Sequence, residues 1–357
     1  MPHRIIQVGT GGMGAFWCRH FLPQFVASGQ VEVVAAVDIA PEMLIHAREG
    51  LGLADNRLYT DAAAAFANNP ADFCTIVVPP AAHEAIVDLA LAHGMDILSE
   101  KPIADTLEGS VRIARKVEQA DRRMGVTISH RFDQDKTTFR TLVHSGDYGP
   151  LDYLVCRFTC DNRAFASWGR FRHEMIDPLL IEGAIHHLDI LADLAGTPCE
   201  TVFAQTWNPP WGEFAGDSQA LVSMTFGNGA RGFYEGAKSN ASGLNGWGQE
   251  YIRAECRDAT IVLDHRQVEV RPHRAKGDAE PAVVPVPLHE RAHWGHAWLL
   301  EQFLAWLDGG PPMPTAIGPN LRSTATVFAA IESSRTGQPV AVDPFLAAAR
   351  DPGSPLP

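Results

Sequence analysis

No stretch of the chain is apolar for anything near the roughly 20 residues that cross a bilayer, so no membrane-spanning helix is predicted. Basic clusters are missing too. Lysine and arginine number 29 against 42 acidic residues, a formal charge of −13. Such a chain has no electrostatic footprint for nucleic acid or an anionic membrane. A small anion is not excluded, because a few local arginines suffice to hold one. The six cysteines include no C-x-x-C pair. Cys156 and Cys160 stand four apart in a segment read as strand, with no histidine pair nearby, and read as small apolar residues. The first strand begins almost at once, which leaves no room for a signal peptide, and a cytoplasmic location is expected.

What is present points to two domains. The chain has 357 residues, 46% of them hydrophobic, ample for more than one core. The sequence places a first domain over residues 1–128 and a second over 129–357. "RIIQVG" (residues 4–9) reads as a strand, followed by "GTGGMG" and a helical segment. Gly9, Gly11 and Gly14 match G-x-G-x-x-G, with Gly12 and Met13 inside the turn. The first glycine permits the tight turn, the second lets backbone approach a pyrophosphate, and the third lets helix and strand pack closely. The pyrophosphate would sit at the helix N-terminus. A second strand, "VEVVAAVD", ends on Asp38, 24 residues after Gly14. That is near the offset for a carboxylate on the adenosine ribose. A carboxylate there repels a 2′-phosphate, and Ile39-Ala40-Pro41 holds no arginine to bind one. NAD is therefore favoured over NADP.

Strands and helices keep alternating: strands are predicted over 73–80, 96–102 and 124–132, with an amphipathic helix over 83–94. This is the pattern of a parallel, doubly wound sheet, which binds ligands beyond the carboxyl ends of its strands. Pro79-Pro80, Glu100-Lys101-Pro102 and His130-Arg131 fall at such ends. From Tyr148 onward, short strands with turns such as "GNG" predict a large, mostly antiparallel sheet.

The glycine-rich start, "VPP" with a histidine three residues on, and "EKP" together resemble the Gfo/Idh/MocA oxidoreductases. The resemblance extends to the tail, "HAWLLEQFLAWLDGG" and "NLRSTATVFAAIESSRTGQPVAV". It implies a Rossmann domain, a second domain on an open sheet, and oxidation or reduction of a sugar, polyol or sugar acid. It also implies cofactor contacts from Pro79, His83, Glu100 and Lys101, with Lys101 at the nicotinamide ribose. An ammonium beside a secondary alcohol stabilises the developing alkoxide. The alternative for Lys101 alone is a solvated lysine.

"IEGAIHHLDILADLAG" holds adjacent histidines. On a helix at about 100° per residue, Glu182, His186, Asp189 and Asp193 share one stripe. His187 falls on the leucine side, packed. A histidine is suited to take the hydroxyl proton near neutral pH. The family pattern D-x-x-x-H-x-x-D is met by His186 and Asp189, with Glu182 where aspartate is usual. The alternative is a solvated helix face. The preceding loop, "DNRAFASWGRFRHEMIDP", supplies Arg163, Trp168, Arg170 and Arg172. Arginines there are candidates to hold a carboxylate or sulfonate, and Trp168 to stack on a sugar. Arg131 and His187 complete the substrate-binding candidates.

The expected activity is NAD-dependent oxidation of a carbohydrate hydroxyl. Alternatives are a redox-neutral glycoside hydrolase that oxidises its substrate transiently, and a non-catalytic NAD sensor. No metal is expected, although His293 and His296 stand three apart. A homo-oligomer, dimer or tetramer, is expected through the open sheet.

Overall fold

The structure, a computed structural model, describes residues 1–277, 279 and 282–351. The chain forms two compact units.

The first unit comprises Met1–Thr127 and returns for His296–Leu321. Its strands are β1 (His3–Val8), β2 (Val31–Val37), β3 (Leu58–Tyr59), β4 (Phe73–Ile76), β5 (Asp96–Ser99) and β6 (Met124–Val126). Among the described residues they form one sheet in the order β3-β2-β1-β4-β5-β6, and every pairing is parallel. Strand order reverses between β1 and β4, which is where such sheets open a ligand crevice. β1, β4 and β5 are buried along most of their length, as strands covered on both faces must be. The strand predicted over 124–132 is shorter than expected. It ends at Val126, and His130–Phe132 form a 3₁₀ turn in the second unit.

The first stretch of the first unit ends at Thr127, and the late segment His296–Leu321 belongs with it. Ala316 pairs with Gly125, and Val126 N–H donates to Thr315 O at 2.9 Å. A Cβ on Gly125 would lie 2.2 Å from the Met313 sulfur, so glycine leaves the space this segment fills. Phe303 packs on Phe73 edge-to-face.

The second unit comprises Ile128–Gly295 and the chain from Arg322 on. Its strands are β7 (Leu151–Thr159), β8 (Cys199–Trp207), β9 (Gln219–Phe226), β10 (Arg231–Ala237), β11 (Tyr251–Cys256), β12 (Ala259–Asp264), β13 (Gln267–Pro272), β14 (Val284–Val286) and β15 (Val340–Ala341). Their order is β14-β13-β12-β11-β7-β10-β9-β8-β15. β7 and β10 pair in parallel and the other neighbours antiparallel. Alternation sets the two faces. Leu154, Cys156 and Phe158 of β7 point into the core with Ile252, Ala254, Val222 and Met224. The helix Ile185–Ala195 packs on β7 and β10. Leu221 and Phe233 remain exposed on neighbouring strands.

Among the described residues no helix is long and apolar enough to cross a membrane. The six cysteines form no disulfide, and five of them are buried, in keeping with their reading as apolar filler.

Candidate active site

In the first unit, the nucleotide-binding candidates gather at the carboxyl ends of β1, β2, β4 and β5. Gly9 sits at φ +85°, and a Cβ there would stand 2.0 Å from the carbonyl oxygen of Val77. A Cβ on Gly14 would stand 2.2 Å from Gly9 O. Both positions therefore require glycine, for the reasons read from the motif. Gly12, at φ +51°, faces open space, and Met13 beside it is exposed. The result is a bare backbone cradle that a dinucleotide pyrophosphate fits.

Asp38 does more than the sequence reading assigns it. Its Oδ2 accepts from the backbone N–H of Thr10 at 2.8 Å and of Gly11 at 3.0 Å. Its Oδ1 accepts from Ala40 N–H at 3.0 Å. The carboxylate thus clamps the glycine turn to the end of β2. Pro79 is exposed just beyond β4, and Lys101 is half-buried just beyond β5.

Two predicted cofactor contacts are placed elsewhere. His83 is fully buried, with Nε2 2.9 Å from Val78 O and Nδ1 3.2 Å from Ile103 O. Its imidazole ties two loops together from behind. Glu100 is also buried, and its Oε1 accepts from Trp17 Nε1–H at 2.9 Å and lies 3.1 Å from His296 Nε2. Burial acts to raise the Glu100 carboxyl, but the charge and hydrogen bond of His296, with Trp17 and Lys101, prevail and lower it to about 2. Glu100 anchors the turn that carries Lys101. His296, whose ring stacks on Phe21 at 4.8 Å, serves that anchor, not a metal pair with His293.

In the second unit, the histidine segment departs from a simple helix. Leu179–Ala184 form a π turn, and the α-helix begins only at Ile185. Glu182, His186 and Asp189 are all buried, so the stripe is not a solvated face. Each acid has a cation. Glu182 Oε2 accepts from Arg172 Nε–H at 2.8 Å. Arg172 lies over the rings of Phe171 and Trp168. Asp189 accepts from Ser323 Oγ–H at 2.9 Å and pairs with Arg131 Nε at 3.2 Å. Burial raises its carboxyl against the pull of Arg131. Arg131 also reaches Asp193 at 3.1 Å, so it neutralises the helix rather than offering itself to a ligand.

His186 is 4% exposed, and its ring stacks on that of His130 at 4.0 Å. Trp247 stands perpendicular to both. His187 is fully buried, stacked on Tyr234, and has no surface for a substrate. Its packing is as the helix geometry predicts, and its place among substrate contacts is not. Burial pushes its imidazole down to about 4.

The loop residues divide. Trp168 and Arg172 lie at the histidine segment. Arg170, 76% exposed and paired with Glu174, is a surface residue, and Arg163 pairs with Asp161.

Sequence reasoning missed the groups brought from afar. Lys136 Nζ lies 2.6 Å from Glu250 Oε2, and Glu250 Oε1 faces His130 and His187. Lys238 is buried with Nζ 4.0–4.4 Å from the ring centroids of Phe158, Trp168 and Trp247. A lysine closing an apolar strand, as in "FYEGAK", is the signal that could have found the last of these.

Comparison with known proteins agrees with this geometry. Residues 4–128 match the family described as "Oxidoreductase family, NAD-binding Rossmann fold". Residues 140–342 match "Oxidoreductase family, C-terminal alpha/beta domain". The chain is 54% identical over 350 residues to the uncharacterized protein y4oX of Sinorhizobium fredii, covering 97% of each. It is 26% identical to D-apiose dehydrogenase of Rhizobium rhizogenes, covering 88% of this chain and 91% of that one. The crystal structure of an oxidoreductase from Agrobacterium radiobacter in complex with NAD+, L-tartaric acid and magnesium shares the fold. Its TM-score is 0.80 at 22% identity, covering 96% of this chain and 99% of that one. The chain belongs to the Gfo/Idh/MocA family of NAD-binding oxidoreductases.

Proposed function

We propose that the protein is an NAD-dependent dehydrogenase of a secondary hydroxyl on a sugar, polyol or sugar acid. The observation that carries this reading is His186, a buried imidazole on a helix whose acids are each met by a cation. Glu182 is held by Arg172 and Asp189 by Arg131, so neither carboxylate adds a bare negative charge beside the base. When bound, NAD supplies the acceptor for the hydride leaving the carbinol carbon. His186 removes the hydroxyl proton, and Lys101 stabilises the oxygen as negative charge develops on it. The clamped glycine turn and Asp38 favour NAD over a cofactor with a 2′-phosphate. Trp168 and the partly exposed Trp247 offer flat apolar surface for the face of a sugar ring. D-apiose dehydrogenase, among the relatives, acts on a sugar, which supports the substrate class.

A homo-oligomer through the open face of the large sheet is part of the same reading. Leu221 and Phe233 are the exposed apolar residues a second copy would cover.

The test is a panel of sugars, polyols, sugar acids and glycosides with NAD, following NADH and organic product together. One member should yield NADH in step with a ketone. Tight NAD binding with no turnover of any member would overturn the reading. So would aglycone release with almost no NADH, the signature of a redox-neutral hydrolase.

A further inference from the structure

Behind the base, three donor atoms from separate elements converge. His130 comes from a 3₁₀ turn, His187 from the buried helix, and Glu250 from the residue before β11. His130 Nδ1 lies 3.4 Å from Glu250 Oε1, and His187 Nε2 lies 3.7 Å from the same oxygen. All three atoms lie within 4.8 Å of one another. Both imidazole separations exceed the roughly 2.7–3.2 Å of an N–H···O hydrogen bond. Both nitrogens are buried and face Glu250 without ideal hydrogen-bond geometry, yet closely enough to help hold its carboxyl well below the usual range. Ligands at about 2.0–2.2 Å from a tetrahedral Zn²⁺ stand about 3.3–3.5 Å apart. The His130–Glu250 separation of 3.4 Å matches that value, the His187–Glu250 separation of 3.7 Å is slightly longer, and the two imidazole nitrogens stand within 4.8 Å of each other.

The surroundings fit a cation. Among the described residues, Lys136 is the one ammonium beside three carboxylates, at 2.6 Å from Glu250, 3.3 Å from Asp135 and 3.4 Å from Asp133. A dication offsets that excess of negative charge. Lys136 holds Oε2 of Glu250 and leaves Oε1 to the ion. Tyr234 OH, 3.3 Å from His187 Nδ1, occupies the other ring nitrogen, as outer partners of metal-bound histidines do.

We propose that His130, His187 and Glu250 form a Zn²⁺ site with its fourth position open to water or ligand. Two imidazoles and one carboxylate are a donor set that Zn²⁺ takes in sites of this kind. The sequence carries no spacing that announces it. The site depends neither on the sugar nor on NAD.

The experiment uses the tag-free full chain, stripped with chelator and titrated with Co²⁺ and then Zn²⁺. One Co²⁺ per chain should bind with the intense visible bands of four-coordinate cobalt, quench tryptophan fluorescence through Trp247, and be displaced by Zn²⁺. His130→Gln and Glu250→Gln should each weaken Zn²⁺ binding by roughly tenfold or more. Weak six-coordinate cobalt spectra, no stoichiometric ion, or variants that bind as tightly as the parent would overturn the site. Should a variant fail to fold, the parent's cobalt spectrum alone decides.

Discussion

The imidazoles of His130 and His186 stack with centroids 4.0 Å apart and planes 13° from parallel. A face-to-face contact this close fixes the tilt of His186, and Trp247, perpendicular to both rings, limits its rotation. A base held this way needs little reorganisation when it takes a proton. His186→Ala should lower kcat by roughly 10²–10⁴-fold while NAD binding, followed by fluorescence titration, is retained. Normal turnover in that variant would remove His186 from the reaction.

The glycine turn makes a graded prediction. Gly14→Ala places a Cβ 2.2 Å from Gly9 O, a backbone atom that cannot move aside. It should abolish measurable NAD binding and lower the thermal midpoint. Gly12→Ala meets nothing within 4 Å, and at φ 51°, ψ −116° carries only backbone strain, about 1–3 kcal/mol. Equal losses in the two variants would mean that the turn is not the close approach described here.

Glu100 links acid stability to the first unit. Its carboxyl is lowered to about 2 in the folded protein, against about 4.3 when unfolded. A depressed folded value means the contribution is present above the unfolded value. It is lost as pH falls from about 4.3 toward 2, over which roughly 2–3 kcal/mol disappears. Unfolding midpoints measured across that range should fall less steeply in Glu100→Gln, which starts lower at neutral pH.

The Glu182–Arg172 pair is buried on the acid's side and partly exposed on the arginine's. Glu182→Ala should cost about 2–3 kcal/mol, because it strands a guanidinium among aromatic rings. Arg172→Met combined with Glu182→Met should recover part of that loss in urea unfolding. Glu182→Asp shortens the reach and should fall between. A double variant no more stable than Glu182→Ala would show that the pair is not what the helix loses.

The glycine turn and the alternation of the first domain were legible because each depends on neighbours in sequence. So was the packed side of His187, since a helix separates adjacent side chains by about 100°. What escaped depends on distant partners. His83 and Glu100 stand in the expected motifs, yet their side chains turn inward to carbonyls, Trp17 and His296. No local pattern distinguishes an inward carboxylate from one facing a cofactor. The π turn at Leu179–Ala184 escaped because the sequence reading carried a uniform rotation of about 100° per residue through Glu182. Lys136 and Glu250 lie far apart in the chain and meet only once β11 has paired with β7.

The first unit is closed by His296–Leu321, a segment that follows the larger part of the second unit in the chain. At roughly 5–20 residues per second, a ribosome takes about 10–30 s to travel from the end of the first stretch to that segment. Throughout that interval Glu100 waits for His296, and the groove beside Gly125 waits for Met313 and Ala316. The dinucleotide fold is thus the first part begun and among the last completed, and a fragment ending near residue 128 reproduces only that waiting state.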